Sequence, residues 1–298
     1  MVYEEDDSSY GYYYDQLSAE SRAVYRAIYK QPSKVEGVEI ILPQTLSITV
    51  KDDESEEGLQ ARITGIVLEI TQPAIDALLY DHPSIFYMKM GGEESSSFSL
   101  YHRREDHKEG GATVYMRKLL FYLRTENLLP SQTMEEQISD LQNAVSHFTV
   151  EGESRYERLR FICDELARTV SYDASAARPH SSVGALIDGL AVCDGYAKAL
   201  KLLCDREQIP CIIVAGKAIQ NGNSEPHAWN YVQMEDGAWY GLDITWDDVG
   251  HTATENYFLV GADDSGFLDS HVPGGRFSEG EHAPFVYPTL SDANYIPV

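Results

Sequence analysis

Gly189-Leu-Ala-Val-Cys193-Asp-Gly-Tyr-Ala197, then His227-Ala-Trp-Asn230, then Trp239-Tyr-Gly-Leu-Asp243-Ile-Thr-Trp246 are the stretches on which the reading of this chain turns. They present a cysteine, a histidine and an aspartate in that order, each in its own local context. A thiol becomes a strong nucleophile when a base takes its proton, and the base works when a third group holds its ring in one tautomer. The apolar lead-in 190–192 is followed by Ala197, Leu200, Leu203 and Cys204 at helical spacing, which predicts Cys193 at or near a helix N-terminus. Unpaired N–H groups and the macrodipole there favour an anion, lowering a thiol pKa from its reference of roughly 8.5. The same N–H groups can donate to a developing oxyanion.

The segment 226–234 is rich in aromatic and β-branched residues and predicts a strand, as does 238–246. Glu235-Asp236-Gly237 between them is a turn signal, so the pair reads as a hairpin. Strand parity makes the loop length decisive. A two-residue turn at Asp236-Gly237 pairs Asn230 with Asp243 and turns Asp243 away from His227. A three-residue loop, 235–237, pairs Trp229 with Asp243 and leaves Asp243 on the His227 face, one diagonal step away. Gly at the last loop position suits the left-handed conformation that the longer loop needs, which favours it.

These motifs resemble the transglutaminase-like superfamily, in the residues Val192-Cys193-Asp-Gly-Tyr-Ala197, His227-Ala-Trp-Asn230, Trp239-Tyr240 and Asp243-Ile-Thr-Trp-Asp247. Within it the chain looks most like a bacterial, often surface-exported group, through Ile209-Pro-Cys211 and Asn256-Tyr-Phe258. Asp81-His-Pro-Ser-Ile-Phe86 is a weaker upstream match. The resemblance implies an α+β, papain-like core with the Cys helix packed on an antiparallel sheet, covering roughly the second half of the chain. It also implies Cys193 as nucleophile, His227 as general base and acid, and Asp243 as the orienting carboxylate.

Asp247 and Asp248 lie just beyond Asp243 and are the alternatives for the orienting role. Cys163, Cys204 and Cys211 are each flanked by core-type residues and are expected to be small buried hydrophobes. Papain-like enzymes commonly carry an oxyanion donor shortly before the nucleophile, but Ile187-Asp188-Gly189 offers no side-chain amide. The backbone N–H of Cys193 remains, with a hydroxyl of Tyr172, Ser181 or Ser182 as the second donor. Trp229, Trp239 and Trp246 are plausible walls of a cleft or parts of the core.

The chain has 298 residues, 43% apolar, enough for one large or two modest packed domains. Its 48 acidic against 23 basic side chains give a formal charge of −25, clustered at 4–7, 52–57, 93–94 and 279–281. Nucleic acids and anionic membranes are therefore excluded as expected partners, since neither polyanion gains by meeting more negative charge. His102-Arg-Arg104 with Lys108 is interrupted by Glu105 and Asp106 and reads as a loop. No apolar stretch is expected to span a bilayer, and the start carries no basic region followed by an apolar one. The resemblance nevertheless implies an extracellular or cell-surface protein, with the cytoplasm as the alternative. Four cysteines without a Cys-x-x-Cys pair suggest neither a disulfide framework nor a zinc site. Asp263-Asp-Ser-Gly266 with Asp269 has only a faint likeness to a calcium loop.

Residues 1–16 are acidic and Ser/Tyr-rich and are expected to form a mobile tail. An α+β region, 17–150, follows, with a helix over 17–29 and strands over 38–50 and 59–71. A helix over 73–80 opens on a proline, and strands over 84–90, 97–102 and 112–124 complete the pattern. Polar helix 131–148 leads to a boundary at 151–154, and the amphipathic helix 155–170 opens the catalytic region, 151–298. The expectation is a cofactor-free thiol enzyme acting on amide bonds of peptides or proteins. A peptidase or amidase is favoured by the resemblance, with a transglutaminase, or a binding protein that keeps the fold without using the site, as alternatives.

Overall fold

The computed structural model describes residues 10–263, 266–274 and 285–297. Contact density divides the chain into two units, Met1–Asp81 with Tyr87–Glu126, and His82–Phe86 with Asn127–Val298.

In the first unit, α1 (Ala19–Tyr29) starts where Ser18 accepts a hydrogen bond from the Ser21 N–H, and it buries Ser21, Val24, Tyr25 and Ile28 along one stripe. Strands β1 (Val38–Val50), β2 (Ser97–Asp106) and β3 (Ala112–Tyr122) form an antiparallel sheet in the order β1-β3-β2. Between β1 and β2 lies α2 (Glu56–Asp81), a single helix of 26 residues. Two expectations fail here, since 59–71 is helix and not strand, and Pro73 lies inside the helix and does not open it. The β-branched density of Ile63, Thr64, Ile66, Val67, Ile70 and Thr71 mimics a strand. The residues buried from this segment, Leu59, Ile63, Thr71, Ala74, Ile75 and Leu78, keep helical spacing, and packing overrides intrinsic propensity. Among the described residues α2 is the one helix long and apolar enough to cross a membrane, contrary to expectation, although core helices of soluble proteins meet the same test.

Of the basic run Lys108 lies in the turn after β2, whereas His102, Arg103 and Arg104 sit in the strand, where the arginines pair with Glu105 and Asp106. Residues 84–90 form turns with one bridge, Met88 to Thr125, in place of the expected strand. Nor are residues 10–16 a free tail, since Tyr10, Tyr13 and Tyr14 are buried. Their anchor is Asp81, which accepts from the Tyr13 and Tyr14 N–H groups at 3.1 and 3.0 Å.

The second unit holds α3 (Met134–His147), α4 (Arg155–Thr169), the short parallel pair β4 (Ser171–Tyr172) and β5 (Leu190–Ala191), and α5 (Cys193–Arg206). A sheet follows, built from β6 (Cys211–Gln220), β7 (Asn223–Gln233), β8 (Trp239–Leu242) and β9 (His271–Pro273), antiparallel throughout in the order β8-β7-β6-β9. Leu159, Ile162 and Leu166 of α4 and Tyr196, Leu200 and Leu203 of α5 share one buried cluster with Val232, Tyr240 and Leu242 of the sheet. This is the mixed α+β, papain-like arrangement of a Cys helix on an antiparallel sheet.

The expected boundary at 151–154 lies within this unit. Ser154 and Glu157 form a capping box that starts α4, so the polar stretch ends a helix approach without separating two cores. Upstream of it, Val145, Phe148 and Val150 pack on the same cluster, and Arg206 donates to the Val145 and Phe148 carbonyls at 2.6 and 2.5 Å. All of the weak upstream match but Asp81 falls here, with Pro83 O accepting from Ser182 Oγ at 2.8 Å.

Candidate active site

Cys193 is the first residue of α5, as the sequence pattern requires, and Val192 before it contributes no side-chain cap. The first-turn N–H groups therefore face the cysteine without a side-chain competitor. Cys193 is half-buried, whereas Cys163, Cys204 and Cys211 are buried in the core. Burial pushes the Cys163 and Cys204 thiols well up, the behaviour of inert packing cysteines. Asp194, buried beside the candidate nucleophile, is held in its charged form against the cost of burial by Lys198 and His180, at 3.1 and 2.9 Å.

His227 lies on β7 and is 4% exposed. Register pairs of Gln233 with Trp239 and Asn230 with Leu242 leave a three-residue loop at 235–237, and Gly237 turns there with φ of 81°. That conformation costs an L side chain more than it costs glycine. Extending the register sets Trp229 opposite Asp243, so parity brings Asp243 to the His227 face. Strand β8 is shorter than expected, ending at Leu242, and Asp243 is the N-cap of the single helical turn α6 (Ile244–Asp247). Its Oδ1 accepts from the Thr245 and Trp246 N–H groups at 2.9 and 3.3 Å. Its Oδ2 lies 2.7 Å from His227 Nε2.

A carboxylate acceptor at Nε2 requires Nε2 to carry the proton, which leaves Nδ1 free to serve Cys193, one of the groups that act on the ring. Burial opposes charge on His227, but the bonds to Asp243 and Cys193 outweigh it and raise the imidazole to about 10. Burial likewise opposes charge on Asp243. The donors His227 and His271 outweigh it and hold the carboxyl at about 2.

The alternative orienting acids are engaged elsewhere. Asp247 accepts from Thr254 Oγ1 at 2.6 Å and from the Tyr257 N–H, and Asp248 accepts from Tyr196 Oη at 2.7 Å. Of the three hydroxyls considered as oxyanion donors, Ser181 donates to the Arg178 carbonyl and Ser182 to Pro83 O, and both are buried. Tyr172 is exposed and pairs with Ala191, two residues before Cys193. Its phenol is raised, first by the part of the side chain that is buried and then by acidic neighbours such as Glu225. The rings of Trp229 and Trp246 flank His227 at 6.0 and 5.5 Å, while Trp239 sits at the opposite end of β8 from Asp243.

Sequence reasoning missed His271, whose Nε2 lies 3.0 Å from Asp243 Oδ2. No local pattern around it signals a site, because the short strand β9 reaches Asp243 through sheet pairing with β6. His227, Asp243 and His271 are also the one group among the described residues that could offer three ligand atoms to a metal. The faint calcium-loop segment includes residues 264 and 265, which lie outside the described residues.

Residues 142–244, a span that contains Cys193, His227 and Asp243, match the model of the transglutaminase-like superfamily. No curated protein matches the chain. Solved structures similar to it include a TGase, at 14% identity and TM-score 0.34, covering 53% of this chain and 47% of that one. This chain thus spans about half of that relative's length. A candidate cysteine protease from Cytophaga hutchinsonii has 15% identity and TM-score 0.30, covering 53% and 68%. The periplasmic domain of TgpA from Pseudomonas aeruginosa, bound to ethylmercury, has 14% identity and TM-score 0.26, covering 54% and 68%. What this chain shares with the transglutaminase-like superfamily is therefore the segment 142–244.

Proposed function

We propose that the protein is a thiol-dependent enzyme acting on amide bonds of peptides or proteins, with Cys193 as nucleophile, His227 as base and acid, and Asp243 as the orienting carboxylate. The observation that carries the reading is the contact chain at His227. Asp243 takes Nε2–H at 2.7 Å, and Cys193, at the start of α5, is among the groups that raise the same ring. The proton drawn from the thiol rests on His227, and the sulfur attacks the carbonyl carbon, forming a C–S bond while the carbonyl π electrons move to oxygen. The N–H groups at the start of α5 are placed to stabilise that oxyanion, with Tyr172 Oη as a second donor.

Collapse of the tetrahedral intermediate breaks the C–N bond, and the leaving amine takes the proton held on His227. A thioester remains. For hydrolysis His227 deprotonates water, whose oxygen attacks the thioester, and the thiolate leaves with the acid as product. An amine in place of that water gives acyl transfer from the same intermediate. We favour hydrolysis, on the resemblance to peptidase-like relatives. The resemblance is also the sole support for a location outside the cytoplasm.

The test is to incubate the protein with glutamine-containing peptides, with and without a primary amine, and to read the products by mass. Chain cleavage or ammonia release supports the hydrolase reading, and amine incorporation supports the transferase. Absence of all three, together with Cys193 no more reactive to iodoacetamide than the other cysteines, supports a binding protein that keeps the fold.

A further inference from the structure

His271 is an imidazole with no contact to solvent, at 0% exposure, and its polar atoms are all accounted for. Nε2 meets Asp243 Oδ2 at 3.0 Å, and Nδ1 meets Ser270 Oγ at 2.9 Å. Its ring stacks on Phe267 at 4.1 Å and 14°, with Trp246 edge-on at 4.6 Å and Trp229 edge-on at 5.1 Å. In that aromatic box a phenylalanine would fill the same volume without burying two nitrogens, and burying polar groups carries a cost unless they are bonded. The imidazole therefore does something that packing alone does not require.

What it does is visible at Asp243. That carboxylate is 1% exposed and takes four donors, the Thr245 and Trp246 N–H groups on Oδ1 and the two histidine rings on Oδ2. With His271 present Oδ2 is held by two donors as Oδ1 is, so the oxygen facing His227 stays in one place. Without it, Oδ2 would be held by His227 alone, and the two groups could shift together. Strand β9 delivers the imidazole through Ala218–His271 and Lys217–Val272 pairing on β6, the strand next to the one that carries His227.

We infer that His271 is a positioning residue of the active site, holding Asp243 Oδ2 in register so that His227 keeps its Nε2–H tautomer and presents Nδ1 to Cys193. The inference rests on the proposed Cys193–His227 pair. It extends the contact chain to four members, with the fourth touching neither substrate nor sulfur.

The experiment compares His271→Phe, which keeps the aromatic volume and removes the donor, with His271→Gln, whose amide nitrogen can stand near the place of Nε2. Alkylation of Cys193 by iodoacetamide at mildly acidic pH should slow about tenfold or more in the Phe variant and recover to within about threefold in the Gln variant. In parallel, the downfield Nε2–H proton of His227 in the NMR spectrum should be lost or broadened in the Phe variant and retained in the Gln variant. Should the Phe variant fail to fold, His271→Asn, whose amide is too short to reach Asp243, takes its place. Equal alkylation rates and an unchanged His227 proton in the donor-less variant would overturn the inference. Slow alkylation of the unaltered protein, with the His227 proton still dependent on residue 271, would instead overturn the thiol-enzyme reading and leave the positioning role standing.

Discussion

Two buried aspartates, one in each unit, show what separates a structural carboxylate from a chemical one. Asp81, 4% exposed, takes the backbone N–H groups of Tyr13 and Tyr14 and lies 3.2 Å from the Tyr25 hydroxyl. Asp243, 1% exposed, takes two backbone N–H groups as well, but its remaining donors are the imidazoles of His227 and His271. Burial and saturation are alike in the two. The donors differ: a backbone amide cannot exchange its proton in a reaction cycle, and a tyrosine that burial and Asp81 hold well above its ordinary pKa stays neutral. A histidine can pass a proton on. Burial of a carboxylate therefore says little about function until its donors are named.

The comparison breaks most sharply by removing what only one site has. Cys193→Ala should lower amide-bond turnover at least about 10⁴-fold while the protein still folds, because a small side chain fits a helix start. Retained product formation by mass would remove Cys193 from the reaction.

Exchanging the carboxylates tests the contrast itself. Asp243→Asn should lower turnover about 10³–10⁴-fold, since an amide facing Nε2 favours the wrong tautomer. Asp81→Ala should cost about 3 kcal/mol in denaturant unfolding, by orphaning buried donors, and should leave the alkylation rate of Cys193 as it was. A loss of reactivity in the Asp81 variant at unchanged folding would erase the distinction.

The contrast was only partly legible in the sequence, for physical reasons. The Cys193, His227 and Asp243 stretches could be read because helix-start chemistry, strand parity and a three-residue loop ending in glycine are local constraints. The register at Gln233–Trp239 follows from them. The first unit was read poorly, because in α2 the β-branched run 63–71 outvoted a helical apolar spacing that only packing makes decisive. The anchoring of Tyr13 and Tyr14 by Asp81, across 68 and 67 residues of sequence, left no local trace. The same holds for His271, which reaches Asp243 across 28 residues. Asn221-Gly222, with positive φ of 52° and 77° at the β6–β7 turn, is a hairpin signal that was available and would have extended β7 beyond Pro226.

pH sharpens the comparison at intermediate size. His227 is raised to about 10 from an unfolded value of about 6.5, so its contribution to stability is complete below about pH 6.5 and is lost as pH rises toward 10. Asp243, lowered to about 2, contributes fully above its unfolded value of about 3.8 and loses that contribution as pH falls toward 2. Denaturant unfolding followed from about pH 4 to 10 should show stability declining above about 6.5. His227→Ala should flatten that decline, and an unchanged slope in this variant would place the titration elsewhere.

The smallest effect concerns the loop that sets the parity. Gly237→Ala, at φ of 81°, should cost about 1 kcal/mol by thermal unfolding while Cys193 reactivity stays within about twofold. A large loss of reactivity would show that the register, and not merely the turn, had slipped.

The most direct measurement of the central claim is the order in which the four cysteines react. Limited iodoacetamide treatment at about pH 6, followed by peptide mapping, should label Cys193 well ahead of Cys163, Cys204 and Cys211, and His227→Ala should abolish that lead. Equal labelling of all four, or a Cys193 rate indifferent to His227, would contradict the account.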